Sequence, residues 1–66
     1  MLVVVNGAER ELPDGATVAD ALAVIAAPPR GIAVALDGEV VPRADWAGTA
    51  LPPGGSIEVL TAVQGG

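Results

Sequence analysis

The chain begins with an aliphatic run from Leu2 to Val5, passes through Asn6-Gly7, and returns through Glu9 to Leu12 with charged residues before an apolar end. Asn-Gly tolerates the positive φ that a two-residue hairpin turn demands, so this spacing predicts two antiparallel strands, Leu2 to Asn6 and Glu9 to Leu12. Pro13-Asp14-Gly15 then reads as a turn. Thr17 with Asp20 three residues on is a shortened form of the capping box, which predicts that a helix starts there. Val18, Leu22 and Ile25 recur at i, i+4 and i+7, while the positions between them from Ala19 to Ala27 are mostly alanine. Such a helix has one apolar face to lay on a sheet. Pro28-Pro29 should end it, because Pro28 lacks an amide hydrogen and restricts the residue before it.

Beyond Arg30-Gly31 the period changes to two. Ile32, Val34 and Leu36 alternate with Ala33, Ala35 and Asp37, and Asp37-Gly38 leads into Glu39 to Val41, a second hairpin. Arg43 to Thr49, which holds the lone aromatic Trp46, and Pro52-Pro53-Gly54-Gly55 are both expected to be loops. Ile57 to Val63 alternates again and forms the last strand. The order hairpin, helix, hairpin, strand resembles the β-grasp or ubiquitin-like fold: an α+β domain with a mixed sheet of four to five strands on one main helix. A right-handed crossover through the helix would let the first and third strands share that sheet. The expected division is a β-grasp domain over 1–63 and a flexible C-terminal tail over 64–66. With Ile32, Val34, Leu36, Ile57 and Val59 turned to the helix, alternation turns Ala33, Ala35, Glu58, Leu60 and Ala62 outward. That outward face, low and apolar beside the root of the tail, is the expected partner interface: Leu60, Ala62, Ala33 and Ala35.

Composition narrows what chemistry is available. Sixty-six residues form one domain with a thin core and no room for a deep catalytic cleft. Eight acids against three arginines and no lysine give a net charge of −5, which opposes nucleic-acid binding and favours a basic partner surface. There is no Cys and no His, so no thiolate, imidazole metal site, disulfide or Ser-His pair can form, and no metal is expected. The carboxylates are scattered without identifiable partners, as solubilising acids are. Apolar residues make up 52% of the chain, yet the longest uncharged apolar stretch, Ala21 to Pro29, is far short of the roughly 20 residues that cross a membrane. With no basic leader or cleavage site at the start, a cytoplasmic setting is expected. Thr17 and Asp20 are read as caps and Arg30 and Arg43 as solvated charges. Trp46 is either a lid on one end of the core or an interface anchor.

What remains is the end of the chain. A strand followed by Gly65-Gly66 carries the terminal carboxylate on an arm that can extend roughly 10 Å past Val63. The arm has almost no side chains, so it suits threading into a narrow channel that excludes Cβ atoms. A carboxylate is an anion at neutral pH and a poor electrophile until converted to a mixed anhydride, so activation has to come from another protein. The functional group of the chain is therefore expected to be the carboxylate of Gly66.

Several stretches carry a resemblance over the whole chain: Val5-Asn6-Gly7, Asp14-Gly15-Ala16-Thr17-Val18, Ala33 through Arg43, Trp46, and Ala62-Val63-Gln64-Gly65-Gly66. In these the sequence resembles the ThiS family, the sulfur carriers of thiamine thiazole biosynthesis. The resemblance implies that a ThiF-type adenylyltransferase adenylates Gly66 with ATP. Sulfur drawn from cysteine by a desulfurase system then replaces AMP, and the resulting thiocarboxylate passes sulfur to a ThiG-type thiazole synthase. On this reading Gly66 is the attachment site and Gly65 its threading partner. The chain is a protein co-substrate, not an enzyme, and binds no cofactor itself. Pro28-Pro29 and the Ala-rich helix depart from the family pattern in a loop, away from the chemistry. The small subunit of molybdopterin synthase, MoaD-like, shares the fold and the Gly-Gly end. Gln64, the short chain and the segment from Glu39 to Arg43 favour ThiS over it. A ubiquitin-like modifier and a plain β-grasp interaction module are the further alternatives.

Overall fold

The computed structural model describes residues 1–61. Strands β1 (Leu2–Val5) and β2 (Ala8–Glu11) form the first hairpin and are followed by helix α1 (Val18–Val24). Strands β3 (Ile32–Leu36) and β4 (Glu39–Val40) form the second hairpin, a 3₁₀ helix spans Arg43–Gly48, and β5 (Ser56–Thr61) completes the order. The sheet runs β2-β1-β5-β3-β4, with β1 and β5 parallel and the other neighbours antiparallel. The strand that leads to the C-terminus thus lies at the centre of the sheet.

Both hairpins turn as their Asn-Gly and Asp-Gly pairs require. Asn6 and Gly7 have φ of 50° and 82°, and Asp37 and Gly38 have 49° and 87°, the positive pair of a type I′ turn. Each of these turns also holds β5. The Asn6 amide donates to the Ile57 carbonyl at 2.9 Å, and the Val59 amide donates to Asn6 Oδ1 at 2.7 Å. Asp37 repeats the device on the other side: its amide donates to the Ser56 carbonyl at 2.8 Å and its Oδ1 accepts from the Ser56 amide at 2.9 Å. Side-chain oxygens therefore extend the ladder of β5 past the last backbone pair on both flanks.

Helix α1 starts as expected. Thr17 Oγ1 accepts from the Asp20 amide at 3.3 Å while Asp20 Oδ2 accepts from the Thr17 amide at 2.8 Å, a complete capping box. The helix stops earlier than the prolines alone would dictate. Ile25 caps it and Ala26 takes φ 53°. The Ala27 amide then reaches the Leu22 carbonyl and the Ala26 amide the Ala23 carbonyl, which is a Schellman ending with alanine where glycine is usual. Val18, Ala21 and Leu22 are buried against the sheet, and Ile25 is half-buried.

The core is thin, as the chain length requires. Val3, Val18, Val34 and Ile57 are its largest fully buried side chains, with Leu12 and Leu51 closing its ends. Pro52 to Ser56 runs beside β1 through a turn in which the Gly55 amide donates to the Pro52 carbonyl and Gly54 has φ 77°. Pro at the second position and Gly at the third fit the type II turn. The stretch around Trp46, expected to be irregular, is instead the 3₁₀ helix, closed at its start by the Asp45 amide on the Pro42 carbonyl.

Candidate functional site

Residues 62–66 lie outside the described ones, so Ala62, Gly65 and Gly66 remain sequence expectations. What the structure does describe is their root. Thr61 pairs with Ile32 at the end of β5, flanked by β3.

The register of β3 and β5 settles which side chains share a face near that root. Ala33 pairs with Leu60, Ala35 with Glu58 and Ala35 with Val40, so these five residues lie together on one side of the sheet. Val34 and Ile57, one position along, are buried under α1 on the other side. Leu60 is 68% exposed and Val40 76% exposed, Ala33 is exposed and Ala35 half-buried. Ala33, Ala35 and Leu60 therefore share the face turned away from the helix, as alternation predicts. Val40 joins them although sequence reasoning passed over it. A two-residue strand carries no periodicity of its own, and only the pairing with Ala35 shows which way Val40 points.

The same face continues across β1, where Leu2 and Val4 pair with Glu11 and Glu9. Leu2 is 49% exposed. The face thus carries two apolar areas, Leu60 with Ala33, Ala35 and Val40 at one end and Leu2 with Val4 at the other, with Glu58 between them and Glu9 and Glu11 along the β2 edge. A surface of that kind suits a partner that combines an apolar centre with basic groups around it.

On the opposite side of the domain, Trp46 bridges the 3₁₀ helix and the core. Its Nε1 donates to the Val41 carbonyl at 2.9 Å, and the ring packs half-buried on the core cluster. The Arg43 guanidinium stands 5.9 Å from the ring centre, within cation–π reach. Together with Ala19, Leu22, Ala27 and Pro29 these side chains line a shallow open groove. Trp46 thus acts as the lid on one end of the core.

The ion pairs among the described residues gather at the amino terminus. The Met1 ammonium donates to Glu11 Oε2 at 2.8 Å and to the Leu12 carbonyl at 2.7 Å, with Asp14 Oδ1 at 3.5 Å. The hydrogen bond that the ammonium donates to Glu11 is the main reason the Met1 pKa is raised above the ordinary 8.0; burial opposes the shift and Asp14 adds to it. Among the described residues no polar or charged side chain is buried, and no cluster of three His, Cys, Asp or Glu could hold a metal ion. No helix there is long and apolar enough to cross a membrane.

A five-stranded mixed sheet holding one helix, with the chain leaving from its central strand, defines a ubiquitin-like β-grasp protein. The sequence matches the ThiS family over residues 3–66, and the chain belongs to that family. The crystal structure of the thiamine biosynthesis protein ThiS from Geobacter metallireducens is similar to it, with a TM-score of 0.84 and 28% identity over 100% of both chains. Among curated proteins none matches the sequence.

Proposed function

We propose that this chain is a sulfur carrier of thiamine thiazole biosynthesis and that its working group is the carboxylate of Gly66. The observation that carries the reading is the family match, which runs through to Gly65-Gly66 at position 66. A ThiF-type enzyme joins the Gly66 carboxylate oxygen to the α-phosphorus of ATP and pyrophosphate leaves. This converts an unreactive anion to an acyl adenylate. A cysteine desulfurase system supplies a persulfide whose outer sulfur bonds to the acyl carbon as AMP leaves, and a thiol reductant then cleaves the S–S bond of the resulting acyl disulfide, leaving a thiocarboxylate whose sulfur goes to a ThiG-type synthase.

The chain's own contribution is placement. Asn6 holds β5 at Val59 on one flank and β3 pairs with it as far as Thr61 on the other, so the arm departs from a strand held on both sides. The strip of Leu60, Val40, Ala33 and Ala35 lies on one face beside that root. An enzyme that docks on the strip receives the arm at a constant offset, and glycine at position 65 lets the last residues pass a narrow channel. Both enzymes need the same arm, so the two complexes exclude each other.

Incubation with a ThiF-type adenylyltransferase, ATP, cysteine, a desulfurase and a thiol reductant, read by intact mass, tests the reading. The expected product gains the mass difference between one sulfur and one oxygen. Removal of Gly66 is expected to abolish ATP–pyrophosphate exchange while leaving the fold intact. A truncated chain that still supports exchange overturns the proposal.

A further inference from the structure

Pro28-Pro29 and the alanine-rich helix, which depart from the family pattern and take no part in the carrier chemistry, meet beside Trp46. The groove between them has a volume of about 320 Å³, at the small end of binding clefts. Leu22 is buried there, Ala19, Ala27 and Trp46 are half-buried, and Pro28 and Pro29 are exposed, so the groove descends from the proline pair toward the core. Its sides are set before anything enters. Trp46 Nε1 is committed to the Val41 carbonyl at 2.9 Å, and the proline rings fix their own φ. Little conformational freedom is left to lose when the groove is filled.

The charge of the groove is opposite to that of the molecule. On a chain of net charge −5, Arg43 is the one charged side chain among the described residues that line it. Its guanidinium stands 5.9 Å from the Trp46 ring centre and has no ion pair among the described residues. The acids adjoining the groove along the chain are turned elsewhere: Asp45 lines a separate cleft with Val40 and Val41, and Asp20 accepts from the Thr17 amide in the capping box. A basic group is therefore repelled here and a carboxylate attracted, the reverse of the sheet face with its Glu58, Glu9 and Glu11. We propose that the groove is a second docking site, and that its occupant is a segment of a partner protein carrying an apolar side chain beside a carboxylate. The apolar side chain lies between Trp46 and the proline pair, and the carboxylate accepts from the Arg43 fork. The groove is on the helix side of the sheet, away from Leu60 and Ala33, so its occupant does not compete for that face. The site rests on this geometry and not on the carrier reading.

Trp46 is the lone aromatic of the sequence, so its indole N–H resonance reports the groove directly. A capped Glu-Leu-Leu-Glu peptide, titrated to millimolar concentration into the isotope-labelled full chain, is expected to shift that resonance saturably, together with the amides of Ala19 and Ala27. A capped Lys-Leu-Leu-Lys peptide, which the net charge of −5 favours over the rest of the surface, is expected to bind at Trp46 at least about fivefold more weakly. Arg43→Gln is expected to remove the preference and Arg43→Glu to invert it. An acidic peptide that leaves Trp46 unmoved, or a basic one that binds there equally well, overturns the proposal without recourse to any variant. Two other occupants are distinguished in the free full chain. Nuclear Overhauser contacts from the Trp46 ring to the Val63 methyls assign the groove to the chain's own end, and a Trp46 shift that grows with protein concentration assigns it to a second copy. Either result overturns the proposal.

Discussion

At the scale of single residues, three positions carry more than their side chains suggest. Ala26 sits at φ 53° in the Schellman ending, where an L-residue pays for its Cβ and glycine does not. Ala26→Gly is expected to raise stability by about 0.5 to 1 kcal/mol, since the relief slightly exceeds the extra entropy glycine loses on folding. Urea denaturation measures it. Asn6 combines positive φ with acceptance of the Val59 amide. Asn6→Gly keeps the first and loses the second, so a loss of about 1 kcal/mol is expected, and Asn6→Ala should cost more because it forfeits both. The Met1 ammonium makes a cleaner pH experiment. Its folded pKa is raised above the ordinary 8.0, so its contribution is fully present below that pH and is lost as pH rises through the folded value. The sequence has no Lys, Tyr, Cys or His to titrate in the same range. The melting temperature is therefore expected to fall above about pH 8 and to fall less in Glu11→Gln, whose unpaired amine has less to lose.

Elements in so small a domain depend on one another. A helix of seven residues is far below the length that is stable alone, so the capping box and the burial of Val18, Ala21 and Leu22 have to sustain it together. The isolated bridge of Thr17 with Ala50, and the Val18 amide on the Thr49 carbonyl, tie its first turn to the segment after the 3₁₀ helix. The edge strand β2 shows a different economy. All four of its residues are exposed, and Glu9, Arg10 and Glu11 put charge on an edge that would otherwise invite another strand. The opposite edge is protected by brevity, since β4 has only two residues.

For the whole molecule the decisive feature is that the tail-bearing strand is central and that one sheet face is left uncovered. Leu60 is 68% exposed on that face, so Leu60→Asp is expected to change stability by no more than about 0.5 kcal/mol, as ordinary surface substitutions do. On the proposed carrier function, the same change is expected to weaken binding to both a ThiF-type adenylyltransferase and a ThiG-type synthase by about tenfold or more, because it sets a charge in the apolar strip next to Glu58. Calorimetric titration with each enzyme checks it; normal binding by a folded variant would remove the strip from the interface.

Local chemistry was legible along the chain wherever the responsible groups are neighbours. Asn6-Gly7 and Asp37-Gly38 announced both turns through their tolerance of positive φ. Thr17 with Asp20 announced the helix, and period-two alternation separated Leu60, Ala33 and Ala35 from Val34 and Ile57. Gly65-Gly66 and the chemistry of a terminal carboxylate were legible only there. Tertiary structure decided what depends on partners distant in sequence. Ala26 ends the helix early so that Ala27 can pack on the core, and Trp46 winds its neighbours into a 3₁₀ turn by reaching back to Val41. Val40 owes its outward face to pairing with Ala35. Asn6 meets the Val59 amide across 53 residues, and Met1 meets Glu11 across 10. The Asn6 contact exists only once β1 and β5 lie side by side, because the Val59 amide is brought to it by strand order and not by spacing along the chain.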